Sequence, residues 1–361
     1  MQPFYPQELI VERGSESSPI FAHLRNALPL VPLSFVDDVV VQNGDSTSDF
    51  GAGKNKLWLM RHKGDFLKKC PGSQGQVCCN YFVINFASNC PMDCSYCYLQ
   101  EYLAENPALR VFSNVDDLLR QSDELLNKHR GVLFRIGTGE ITDSLALDPI
   151  IGFSREVVPF FAEQPNVLLE LKTKSDCIEG LLGLDPRDRV VVSWSMNPQK
   201  VIDLEEHGTA TLDERLRAAR RCQEAGYRLG FHFDPMVEYH GWADDYETLI
   251  DRIFDTVDWR RVAWLSMGVL RNTPGLKRIM RERFPRTQLL TGEQIFGGDG
   301  KLRYFQPLRA AMYRKMLRWI RRWAPTVKVY LCMESREVWE SVFGYAPLCE
   351  KELGDQIAPR F

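Results

Sequence analysis

The chain has 361 residues, 44% hydrophobic and 26% charged, with a formal net charge of −3. This composition fits a soluble globular protein with room for one large α/β domain or two smaller ones, and it excludes a small disulfide-stapled scaffold. No apolar run approaches the roughly 18 residues that span a bilayer, and the weak net charge gives no global pull toward nucleic acid. The opening MQPFYPQELIVERGSE carries acids early and lacks a basic stretch before a long apolar core. No secretory signal is read there, no membrane association is expected, and the expected compartment is the cytoplasm.

The first 75 or so residues read as irregular, and QNGDSTSDFGAGKNK at 42–56 reads as an exposed connection. Regular apolar runs suited to buried parallel strands then follow at 81–87, 131–137, 166–172, 189–195, 228–233, 261–267 and 327–332. Helical periods lie between them. Val115, Leu118, Leu119, Leu125 and Leu126 share one face after the cap candidates Ser113 and Asn114, and Thr211 with Glu214 has capping-box spacing. Tyr246, Leu249, Ile250, Ile253 and Val257 repeat the pattern. The expected fold is α/β: a partial (β/α)6 TIM-type barrel of about six parallel strands, with chemistry at the strands' C-terminal ends. The expected division is an N-terminal extension over 1–75, a barrel over 76–270 and a C-terminal substrate-facing segment over 271–361.

Ten cysteines in such a chain point to metal ligation, thiol chemistry or core packing rather than a disulfide framework. Six of them, Cys70, Cys78, Cys79, Cys90, Cys94 and Cys97, fall within 28 positions. The segment SNCPMDCSYCYLQ sets Cys90-x3-Cys94-x2-Cys97 in the loop after the first barrel strand. A [4Fe–4S] cubane normally takes four thiolates, so three leave one iron open. Such an iron can chelate the amino and carboxylate groups of S-adenosylmethionine (SAM) and pass an electron to its sulfonium, releasing a 5′-deoxyadenosyl radical. A structural zinc site would want a fourth ligand, commonly in paired C-x2-C spacing, and an electron-transfer ferredoxin site would also want a fourth cysteine. A non-catalytic iron–sulfur or zinc protein is therefore the alternative from another class.

The three-cysteine spacing after strand one resembles the radical SAM superfamily, and CSYCYLQ more narrowly resembles the spore photoproduct lyase family. The resemblance extends over roughly residues 55 to 330 and includes AGYRLGFHFDPMVEYHGW at 225–242. It implies an external electron donor such as flavodoxin or ferredoxin, and a nucleic-acid target. It also implies SAM contacts from a Lys on the third strand and a Ser and an Asn on the fourth, which here are Lys174, Ser195 and Asn197. Ser and Asn can orient ribose hydroxyls or a carboxylate, and Lys supplies a point charge.

The chain departs from the family pattern where a lyase cysteine would return a hydrogen atom to thymine: that position aligns with Glu140. The run Gly137-Thr138-Gly139-Glu140 instead resembles the Gly-Gly-Glu motif that holds the SAM amino group, with Gly139 allowing close approach and Glu140 pairing with the ammonium. The family's basic hairpin corresponds to TGEQIFGGDGKLRYFQ at 291–306, which keeps only Lys301 and Arg303, so its phosphate-neutralising contribution is reduced. The basic stretch at 310–323 reads as an amphipathic helix that buries Met312, Met316, Trp319, Ile320 and Trp323.

Candidate hydrogen-atom donors or relays are Tyr96, Tyr98 and Cys332, the last at the end of the final strand. Cys70, Cys78, Cys79 and Cys332 are also candidates for an auxiliary iron–sulfur cluster; the alternatives are buried small hydrophobes or a redox-labile vicinal pair. The expected function is radical generation from SAM on an unidentified substrate, with reversal of a thymine photoproduct in DNA as the alternative substrate chemistry.

Overall fold

The computed structural model describes residues 4–38 and 50–358. The part of the expected connection at 42–49 lies outside the described residues, and its remainder carries a single 3-10 turn at Ala52–Asn55. No helix among the described residues is long and apolar enough to cross a membrane.

Seven parallel strands form one curled sheet in chain order: β1 (Phe82–Ile84), β2 (Phe134–Gly137), β3 (Val167–Thr173), β4 (Val190–Ser195), β5 (Arg228–Met236), β6 (Val262–Val269) and β7 (Lys328–Leu331). All seven apolar runs of the sequence are strands of this sheet. Both faces of β4 and β6 are buried along their whole length, which explains why they read as continuous apolar runs rather than alternating ones. An antiparallel strand, Leu67–Lys69, borders β1. The gap between β1 and β7 is spanned by one bridge, in which the Val77 amide donates to the Glu334 carbonyl at 2.8 Å.

Helices Val115–Lys128, Phe153–Ala162, Leu212–Glu224, Trp242–Thr256 and Gln306–Trp323 occupy five of the six intervals between strands. Between β3 and β4 the chain makes only turns, so one unit lacks its helix. The capping box at Thr211 and Glu214 is present, and it satisfies two amides that the helix start would leave unpaired. In the basic helix Met312, Met316, Trp319 and Ile320 are buried, but Trp323 is 36% exposed and donates its indole N–H to Asp251 at 2.6 Å.

The N-terminal segment differs from its irregular reading. It forms a second sheet, ordered Leu33–Val36, Glu8–Glu12, Lys56–Met60, Leu109–Phe112, Ala87–Ser88, with the first four strands parallel. Leu9, Val11, Leu57, Leu59, Leu109 and Val111 bury against helix Pro19–Ala27 through Ile20 and Leu24. The runs are only four or five residues long, and two partner strands come from beyond residue 75, so local periodicity carried little of this signal.

Candidate active site at the barrel mouth

The cysteine loop leaves β1 through Asn89, a buried residue with φ of +72° whose side chain takes the Cys90 amide at 2.7 Å and donates to the Pro107 carbonyl at 2.5 Å. Lys54 of the N-terminal segment donates to the Met92 carbonyl at 2.5 Å and pairs with Asp93 at 3.1 Å. Arg283, from beyond β6, pairs with Asp93 at 2.9 Å. The loop is therefore clamped from both sides. Cys97 donates its amide to the Cys94 carbonyl at 3.1 Å, and Cys94 itself pairs in a short antiparallel ladder with Glu206.

Burial pushes the Cys90 thiol up to about 12 and raises Cys94 and Cys97 as well. Free of metal, all three are thiols at neutral pH, and metal binding must displace their protons. Among the described residues no three His, Cys, Asp or Glu side chains are grouped as they would be around one metal ion. The loop supplies three thiols, one short of the four ligands usual at a structural zinc.

After β2 the chain turns through Thr138, Gly139 and Glu140. Thr138 donates to Ser144 Oγ at 2.7 Å, and Ser144 Oγ takes the Lys172 amide at 2.9 Å, pinning the turn to β3. A Cβ on Gly139 would lie 3.0 Å from the Lys172 carbonyl and 3.1 Å from Ser144 Oγ, so a side chain there would have to push one of them aside by a few tenths of an ångström. The half-buried Glu140 has its carboxyl raised by burial against the weaker pull of the Lys68 ammonium, and among the described residues its carboxylate forms no hydrogen bond or ion pair. A desolvated, unpaired carboxylate suits an incoming ammonium. The Glu140 carbonyl takes the Tyr98 hydroxyl at 2.8 Å.

Lys174 follows β3, its amide held by Asp143 at 2.7 Å and its ammonium 5.8 Å from the centre of the Tyr96 ring. Burial alone would lower its pKa, but acidic neighbours, Glu206 foremost among the carboxylates, outweigh it and raise it, so the residue is cationic. Ser195 ends β4. Asn197, 1% exposed, donates to Glu206 Oε1 at 2.8 Å and accepts the Tyr246 hydroxyl at 2.7 Å. Glu206 also accepts the Tyr96 hydroxyl and pairs with Arg215 at 2.6 Å. Arg215 in turn donates to the Ser195 carbonyl at 2.9 Å. Burial would raise the Glu206 carboxyl; Arg215 and Lys174 outweigh it and hold the group down to about 2. Asp143, Glu206 and Arg215 escaped sequence reasoning, since each is an ordinary charged residue in an unremarkable context.

Deeper in the barrel, His232 lies between Glu170 at 2.6 Å and Ser266 at 2.5 Å, and Glu170 also accepts from Tyr81 at 2.5 Å and Trp264 at 3.1 Å. Across the mouth, Asp234 on β5 binds Arg271 through two bonds of 3.0 and 3.1 Å. The half-buried Cys332 has its thiol raised by burial first and then by Asp234. Cys70, Cys78 and Cys79 lie on the segment entering β1, beside the Val77–Glu334 bridge that also borders Cys332; all four are free thiols.

The hairpin is present, with Ile295–Phe296 antiparallel to Leu302–Arg303, which also pairs with Arg271–Asn272. Its two cations are engaged inside the protein: Arg303 pairs with Asp299 at 2.5 Å and Lys301 donates to Ser73 at 2.7 Å. Its exposed side chains are apolar, Ile295 at 45% and Phe296 at 67%.

A curled parallel half-barrel with a three-cysteine loop after its first strand and a polar mouth above it defines a radical SAM enzyme. The chain belongs to the spore photoproduct lyase family, whose model matches residues 73–330. A spore photoproduct lyase of Geobacillus sp. is 27% identical over 256 residues, covering 69% of this chain and 75% of that protein. One from Bacillus subtilis is 27% identical over 215 residues, covering 59% of this chain and 63% of its own length. Among solved structures, a spore photoproduct lyase variant with bound SAM and dinucleoside spore photoproduct superposes with a TM-score of 0.81 at 24% identity, over 92% of this chain and 100% of that one. That likeness carries the fold.

Proposed function

We propose that this enzyme binds a [4Fe–4S] cluster through Cys90, Cys94 and Cys97 and holds SAM between Glu140, on Gly139, and the trio Lys174, Ser195 and Asn197. When bound, the reduced cluster supplies the electron that splits a carbon–sulfur bond of SAM, leaving methionine and a 5′-deoxyadenosyl radical to act on substrate. The carrying observation is the short ladder that joins Cys94 to Glu206, because Glu206 is hydrogen-bonded to Asn197. It sets the cluster loop and the SAM side of the mouth in one register. Glu140 supplies an unpaired carboxylate for the ammonium, and Lys174 supplies a cation for the carboxylate. The reading places the enzyme in the cytoplasm with a flavodoxin or ferredoxin as electron donor, since the chain needs a low-potential reductant.

Tyr98, 46% exposed at the mouth, is better placed to relay a hydrogen atom than Tyr96, whose hydroxyl is committed to Glu206. Cys332 is the proposed thiol donor to the product radical, in place of the cysteine that Glu140 replaces. The neighbouring placement of Cys78 and Cys79 beside Val77, and of Cys332 beside Glu334, across one backbone bridge leaves a competing assignment, a second cluster, although the thiols are not drawn together as around a metal. The two exclude each other, because a ligating thiolate has no hydrogen to give. Iron analysis separates them: about four irons per chain leaves Cys332 free, and about eight makes it a ligand.

The substrate we favour is a target other than the spore photoproduct, because the hairpin has only two cations, Arg303 paired with Asp299 and Lys301 hydrogen-bonded to Ser73, and the thiol-donor position is Glu140. Repair of a thymine photoproduct is the second reading, favoured by the named activity of the relatives. An assay with dinucleoside spore photoproduct decides: SAM cleavage without thymidine formation supports the first, and return of two thymidines overturns it.

A further inference from the structure

We infer that the buried Glu206–Arg215 pair is the positioning device for SAM, acting through Asn197, Ser195 and the Cys94 strand rather than by touching SAM itself; this rests on the SAM site proposed above. Glu206 is 3% exposed and Arg215 is fully buried, so neither reaches the mouth. Three otherwise separate elements meet on them. The Glu206 backbone pairs with Cys94 and His207 with Asp93, which fixes the cluster loop against the segment that follows β4. The Glu206 carboxylate orients Asn197 and Tyr96, and Arg215 holds the Ser195 carbonyl at 2.9 Å, the Ala210 carbonyl at 2.9 Å and Thr209 Oγ1 at 2.8 Å. Ala210 also donates its amide to the Lys174 carbonyl at 3.0 Å, so the end of β3 is tied to the same centre.

The bonds at Asn197 determine what that side chain can still do. Its nitrogen gives one hydrogen to Glu206 and its oxygen takes one from Tyr246, which fixes which way the amide faces. One N–H and one lone pair remain, enough to donate to a carboxylate or ribose oxygen and accept from a hydroxyl. With Gln at 206 one acceptor oxygen would remain for three donors, Asn197, Tyr96 and Arg215, and the amide would lose its fixed orientation. The carboxylate is also needed by Arg215, which without it would be a fully buried cation with no counter-charge.

The test uses the reconstituted full-length holoprotein under anaerobic conditions, with SAM as the probe. Equilibrium SAM affinity, the electron paramagnetic resonance line shape of the reduced cluster with and without SAM, and iron per chain are measured for the wild type, Glu206→Gln and Tyr246→Phe. Tyr246→Phe frees the other end of the same amide from a helix remote from the cluster loop, so it serves where Glu206→Gln fails to fold. The expected result is SAM affinity weakened at least about tenfold by Glu206→Gln and about threefold by Tyr246→Phe, an altered SAM-induced line shape, and unchanged iron content. Combined with Asn197→Ala, either change should add little further loss, because the effects share one route. SAM affinity within about twofold of wild type in the variants that fold, or loss of iron with unaltered SAM affinity in the loaded fraction, overturns the inference. A wild type that binds no SAM would instead overturn the parent reading.

Discussion

On the β3–β4 side of the barrel mouth, Ser195, Asn197 and Lys174 are tied to Glu206, Arg215, Asp143 and Tyr246. Between β6 and β7 the hairpin pairs its own cations with Asp299 and Ser73 and presents Ile295 and Phe296 outward. The first side is organised before any ligand arrives and needs nothing from the substrate. The second holds Arg303 on Asp299 and Lys301 on Ser73 and turns two apolar side chains to solvent. The proposed cofactor side is thus cross-linked within the protein, and the hairpin side is open and apolar.

The largest effect is expected at the join between these sides. Arg271→Ala leaves Asp234 as a mostly buried charge without its two-bond partner and should cost about 3 kcal/mol in denaturant unfolding. A cost below about 1 kcal/mol would mean that the substrate side is loosely held. Next, Lys174→Ala should weaken SAM binding by roughly 2 kcal/mol, about 30-fold, because a charge-assisted contact is lost. Unchanged SAM affinity would remove the β3–β4 side from cofactor handling.

A graded effect is expected from pH. Burial, then the Lys172 ammonium, holds the His232 imidazole below its ordinary 6.5 against the pull of Glu170. Below pH 6.5 the unfolded chain takes a proton that the folded one refuses, so this contribution to stability is complete above 6.5 and is lost as pH falls toward the folded value. Thermal melting of His232→Gln should therefore fall less steeply below pH 6.5 than that of the wild type. Parallel profiles would show that the imidazole takes up its proton equally in the folded and unfolded chains. Smallest is Phe296→Ser, which should leave stability within about 0.5 kcal/mol and reduce single-stranded nucleic-acid affinity by about 1 kcal/mol with an unchanged salt slope. A changed salt slope would mean that the hairpin works through charge after all.

The barrel was legible because each strand, buried on both faces, reads as an apolar run, as VVVSWS of β4 does. The cluster loop was legible because its chemistry demands three cysteines at close spacing. The N-terminal sheet was not, because strands such as Glu8–Glu12 and Leu109–Phe112 pair at long range and are too short for periodicity to speak. Glu206 was invisible for a related reason. A charged residue following a helix is ordinarily a solvated one, and only the fold reveals that it is buried beside Cys94.

The central claim, reductive SAM cleavage at a cluster held by Cys90, Cys94 and Cys97, is tested most directly by quantifying 5′-deoxyadenosine from anaerobically reconstituted, dithionite-reduced protein alongside Cys94→Ala. The account predicts 5′-deoxyadenosine and methionine in equal amounts from the wild type and none above background from the variant. An intact cluster with no cleavage, or equal rates in the two proteins, would contradict it.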